Sequence, residues 1–159
     1  MNLPNEIERA VLPLLDAHPL EKAMSQLVVR RGASTGNLAL VQEIVQQPSV
    51  AANPALCAGL WLYVDELDRS HVISQGIEDA TGSFWHGIMH RREGDFSNSH
   101  YWFHRVGKHP VMTSIHGYDA HDFIDEVEAQ HEKSPADLVA LQRREWEALF
   151  KWCAGRGPK

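Results

Sequence analysis

The sequence predicts an all-α fold, and three observations predict it. Apolar residues recur at spacings of three and four through most of the chain, the period of a helix face. Helix-capping residues stand directly before proline, as in Asn53-Pro54 and Ser134-Pro135. No stretch alternates apolar and polar residues strongly enough to compete as a strand. At 159 residues the chain can bury a substantial core without disulfide or metal staples. We therefore expect one helical domain over residues 1–154, an array or bundle of roughly six to eight helices with a His-rich helical hairpin at its centre. The tail 155–159, Gly-Arg-Gly-Pro-Lys, should be loose.

The elements follow in order. Ile7, Ala10, Val11, Leu14 and Leu15 share a helix face, with Pro13 expected to kink or end that helix. A second helix should open at Pro19, carry Met24, Leu27 and Val28, and stop at Gly32. A third carries Leu38, Leu40, Val41, Ile44 and Val45, with Asn37 as cap and Pro48 beyond its end. A fourth begins at Asn53-Pro54, bears Leu56, Leu60, Tyr63, Val64 and Leu67, and is read as running on past Ile73 and Ile77. Residues 81–93 and 97–106 form two helices around a Gly94-Asp95 turn, the second ending at Gly107. Asp119 caps a further helix reaching Glu128. Ser134-Pro135-Ala136-Asp137 has the capping-box form and precedes Leu138, Leu141, Glu145, Leu149 and Trp152 on the last amphipathic face.

A net charge of -6 lacks the basic footprint of a nucleic-acid binder. Cys57 and Cys153 are far apart and fit two free thiols of a reducing compartment. The first residues show no basic start followed by an apolar run, so no signal peptide is expected. The longest apolar stretch, Ala55 to Val64, is half the ~20 residues needed to span a bilayer. A cytoplasmic protein with no membrane or nucleic-acid partner is the expectation.

The chemistry concentrates in one segment. Five of the ten histidines fall between His86 and His109, and six of the thirteen aromatic residues between Phe84 and Phe103. At about 100° per residue, Phe84, Trp85, Ile88 and Met89 form an apolar arc, with His86, His90 and Glu93 in a stripe beside it. On the next helix Trp102, Phe103 and Val106 form the arc, with His100 and His104 beside it. If the two helices fold back on each other, the stripes either face one another across a groove or both face away. Histidines four apart share a helix face, as metal ligands must, so His86, His90, His100 and His104 are candidate ligands for zinc or another transition metal. Glu78, Asp79, Glu93 and Asp95 are carboxylates that could join them.

The alternative is metal-free acid–base chemistry on a small polar or anionic molecule. There His86 or His90 acts with Glu93 or Asp95, while Arg91, Arg92 and Arg105 bind the anion and Trp85, Tyr101 and Trp102 wall the pocket. Asp65 to Asp79 would form the opposing wall, although Asp65 to His71 itself reads as a solvated helix face. His116 to Asp122 reads as a lid or cap. A third reading has no site: the rings are core, and the aromatic cluster serves an interaction module such as a homodimer. The run Phe84-Trp85-His86-Gly87-Ile88-Met89-His90-Arg91-Arg92-Glu93-Gly94-Asp95-Phe96, continuing to Phe103 and on to Pro110, resembles a segment of uncharacterised microbial proteins. That resemblance carries no activity, fold or ligand.

Overall fold

The apolar run after Asn53-Pro54 becomes the axis of the fold. The computed structural model describes residues 1–156, which form α1 (Asn5–Ala17), α2 (Thr35–Ile44), α3 (Pro48–Ala51), α4 (Pro54–Tyr63), α5 (Leu67–Ser74), α6 (Ala80–Glu93), α7 (Phe96–Val106), α8 (Ala120–Gln130) and α9 (Ala136–Gly155). Two short 3-10 turns, Pro110–Ser114 and His131–Lys133, flank α8, and the described residues contain no strand. Every residue from Leu56 to Val64 is buried, as is every residue from Gly82 to Arg92, so α4 and α6 are enclosed along nearly their whole length, with Pro54 and Glu93 exposed at their ends. Around them pack α3, α5, α7 and α9. Gly59 is what lets α4 and α6 touch: a Cβ there would stand 2.8 Å from the Trp85 ring. From α9, Trp146 Nε1 donates to the Gly59 carbonyl at 2.8 Å.

The hairpin forms as α6 and α7. Gly94 turns the chain at a φ of 86°, which glycine adopts without penalty, and the Asp95 carboxylate accepts the Asn98 N–H to start α7. Two contacts fix how the helices meet. The Phe103 ring lies against Gly87, 2.7 Å from where a Cβ would be, and Ser99 Oγ donates to the Gly87 carbonyl at 2.7 Å. The Ser99–Phe103 face of α7 is thus committed to α6.

Several expected boundaries are corrected by tertiary contacts. The helix expected from Pro19 to Gly32 is instead a chain of turns, with Met24 at a φ of 51°. Its carbonyls are taken from outside: Gln142 Nε2 donates to Met24 and Gln26, Arg143 Nε to Ala23, and Arg92 to Gln26. Such bonds satisfy the backbone without a helix. The fourth helix stops at Tyr63, because Asp65 takes a left-handed φ of 65° before α5 begins. Ser34, not Asn37, caps α2. Pro13 does not end α1; it lies on the exposed face and the helix runs on to Ala17. The capping box at Ser134 does not form, since Ser134 Oγ donates back to the His131 carbonyl. At the expected tail, α9 continues through Gly155, and residues 157–159 lie outside the described residues.

Candidate metal centre

Three hydrogen bonds bring a third histidine to the pair on α6. Arg92, fully buried on α6, donates to Asp65 Oδ1 at 2.6 Å and to the Leu62 carbonyl at 2.9 Å, which ties the α4–α5 turn to α6. Ser70 Oγ then donates to the Ala58 carbonyl of α4 at 2.9 Å, and this rotation turns the next residue, His71, toward α6. The His71 ring meets His86 edge-on at 4.7 Å and His90 at 5.3 Å, while His86 and His90 stack at 4.8 Å. One ligand nitrogen from each of the three lies within 4.8 Å of the others.

The electrostatics suit a ligand set. His90 Nδ1 is 2.6 Å from Glu93 Oε1, which leaves Nε2 as the nitrogen available to a ligand. A carboxylate on the far nitrogen is the usual support of a metal-bound imidazole. His86 is buried, and its Nδ1 makes no hydrogen bond to any described residue. Leaving a buried polar atom unpaired costs about 1–3 kcal/mol, a penalty that a ligand reaching Nδ1 would remove. Burial, then the neighbouring His90 and His71, push His86 down to about 4. It is therefore neutral at pH 7, as a metal ligand must be. Trp102 of α7 stacks on His86 at 3.9 Å, and the Arg105 guanidinium lies 5.2 Å over Trp102 and 6.0 Å over exposed Tyr101.

The other expected site residues fall into separate places. The groove of four imidazoles is corrected: because the Ser99–Phe103 face packs on α6, His100 and His104 turn to α8. His100 Nδ1 lies 2.7 Å from His121 Nδ1, and the His104 and His121 rings are 4.5 Å apart. Arg91 is not placed to hold substrate, being fully buried in a two-pronged pair with Glu145 at 2.9 and 2.6 Å. Arg92 is equally locked by Asp65, so the reading of Asp65 as solvated is corrected with it. Trp85 is core, against α4 and Phe150's neighbour Gly59, and walls no pocket. Asp95 caps α7, and its bonds from Asn98 and Ser97 hold its carboxyl below the ordinary range. Even so it stays beside His90 and Glu93, with the ligand atoms of all three within 4.8 Å. Arg105 alone of the candidate arginines is exposed, and it joins no ion pair among the described residues.

No family model, curated protein or solved structure matches this chain, so its site is read from its own chemistry. His71 and His121 entered the sequence reading only as members of an opposing wall or solvated face and of a lid or cap, and Asp125 did not enter it. Each lies on a helix outside the hairpin, where no spacing links it to the paired histidines. Only the apolar pair Val72-Ile73 after His71 hints in the sequence that its helix has a packed face.

Proposed function

We propose that this chain binds a divalent transition metal, zinc first among them, through His71, His86 and His90, and uses it on a small polar or anionic molecule. The observation that carries this reading is the convergence of one imidazole nitrogen each from His71, His86 and His90 within 4.8 Å, with His86 buried and its Nδ1 unpaired. Three nitrogen ligands suit zinc and leave one tetrahedral position open, the arrangement of catalytic rather than structural sites. Glu93 orients His90 from its Nδ1 side, which turns Nε2 toward the ion, and is itself exposed. Arg105 on its Trp102 platform is the guanidinium free to meet an anion at the rim. Thiol chemistry is disfavoured: burial pushes Cys153 up to about 12 and raises Cys57 as well.

The test is elemental analysis of untagged protein purified without chelator or added metal. We expect about one tightly held equivalent, lost in H71Q, H86Q and H90Q. No metal as purified and no zinc uptake after purification would overturn the reading. A second reading is metal-free acid–base chemistry, favoured by the 2.6 Å His90–Glu93 contact. It predicts ligand binding that H71Q leaves unchanged.

No helix among the described residues is long and apolar enough to cross a membrane. We place the protein in the cytoplasm, a reading supported by its two free, buried cysteines. Its net charge of -6 supports a partner other than nucleic acid. For a homodimeric module, the large exposed apolar side chains on offer include Leu12, Val72 and Tyr101.

A further inference from the structure

We propose that His100, His104 and His121 form a second site for a divalent transition metal, separate from the first and on the α8 side of the hairpin. The two clusters use the same residue types in the same arrangement, though among the described residues only the first already brings three histidine nitrogens within 4.8 Å of one another. Each helix of the hairpin carries a His-x-x-x-His pair: His86 and His90 on α6, His100 and His104 on α7. Each pair is met by one histidine from the next helix outward, His71 of α5 or His121 of α8. In each, one imidazole is held by a carboxylate: Glu93 on His90, Asp125 on His100 at 2.8 Å.

The geometry of this second cluster can admit a cation. His100 Nε2 lies 2.8 Å from Asp125 Oδ1, and its Nδ1 faces His121 Nδ1 at 2.7 Å. Only one proton fits between those two nitrogens, and a metal can take its place. Zinc–nitrogen bonds of about 2.0–2.1 Å in tetrahedral geometry put two ligand nitrogens about 3.3 Å apart, so the rings need open by only about 0.6 Å. His104 lies one turn along the same face of α7 and is exposed, so its ring is free to swing onto the same ion.

An all-nitrogen set selects zinc, nickel or copper(II) over magnesium or calcium, which prefer oxygen. Because His100 and His121 are half-buried and His104 is exposed, this ion should exchange with solvent more readily than one at the first site. Its structural effect would be to staple α8 to α7.

The test is titration of the chelator-stripped full chain with zinc against a competing indicator. Wild type should bind two equivalents, and H86Q/H90Q and H100Q/H121Q one each. D125N should weaken the site on α7 and α8 by roughly 10- to 100-fold, the usual loss when a supporting carboxylate is removed. H104Q should weaken it as well, and H116Q, altering an exposed histidine outside the cluster, should not. If H100Q/H121Q binds as much zinc as wild type with equal affinity, the proposal is wrong. It is wrong too if H116Q lowers uptake as much as H104Q, since that would mark unspecific surface binding. Loss of an equivalent in H100Q/H121Q but none in H86Q/H90Q would uphold this site and overturn the first. D125N and H104Q, altered at exposed positions, give the answer should the double variant fail to fold.

Discussion

Replacing Glu145 with Gln should destabilise the protein more than any other isosteric change in it. Glu145 is fully buried on α9 and accepts three hydrogen bonds: two from Arg91, at 2.9 and 2.6 Å, and one from the Tyr118 hydroxyl at 2.5 Å. Both partners depend on its charge. The Arg91 guanidinium has no exposure, and it lies over the Phe123 ring at 4.2 Å, where no water can replace the carboxylate. The amide of E145Q keeps the shape but removes the charge and points a donor at the guanidinium. Breaking a buried pair from one side costs about 3–5 kcal/mol, because the remaining charge is left uncompensated. For a chain of this size 1 kcal/mol moves Tm by roughly 2–4 °C, so Tm should fall by about 6–20 °C. Urea unfolding followed through the buried Trp146 would give the free energy directly. R91M/E145M, which removes both charges at similar volume, should recover most of the loss. A cost below about 1 kcal/mol for E145Q, taken against that expectation, would mean that the pair is solvated. Arg91 would then be restored as a candidate substrate contact.

Three further outcomes follow from other contacts. G87A should cost about 1–3 kcal/mol in thermal unfolding, since its Cβ would lie 2.7 Å from the Phe103 ring; an unchanged Tm would show that α6 and α7 are not in close contact there. D65N should lower the urea midpoint and also weaken zinc binding, because it releases Arg92 and with it the turn that aims α5 at α6; lost stability with intact zinc affinity would break the link between that turn and His71. His109 is held below its ordinary value by burial and then by Arg156, with Nδ1 accepting the Val111 N–H and Nε2 facing Thr81 Oγ1. Its folded pKa lies under the unfolded value of about 6.5, so the unfolded chain takes up the proton first. Stability is therefore lost as pH falls below about 6.5 toward the folded pKa. H109Q should flatten the decline in urea midpoint across that window in chelator-stripped protein, and an equal slope in both chains would refute the assignment.

What the sequence made legible was local. Gly94-Asp95, the two His-x-x-x-His pairs and the apolar arcs each involve residues within a few turns, and the hairpin formed as they indicated. Which side each stripe faces was set by Gly87 meeting Phe103 sixteen positions later, and no period encodes that. Arg91 and Arg92 read as ligands for an anion because arginines are rarely buried without a partner. Their partners stand far away, Glu145 on α9 and Asp65 before α5. One signal was present: Glu145 was the lone charged residue on the apolar face of the last helix, among Leu138, Leu141 and Leu149. A charge at such a position requires an opposite charge in the core, and the adjacent arginines of α6 were the ones to supply it.

The same division between local and distant residues decides which substitutions can identify function here. His86 and His90 lie in the core hairpin, so changing them alters packing as well as ligation. His71 and His121 are half-buried and come from outside the hairpin, and each completes one cluster without touching the other. A change confined to His71 therefore removes a nitrogen from the first cluster while leaving the α6–α7 contacts in place, and His121 does the same for the second. If H71Q and H121Q each abolish a different zinc equivalent while the fold stays intact, both clusters are ligand sets. If neither does, the hairpin histidines are side chains satisfied by their carboxylates and by one another, and the paired spacing is a packing pattern.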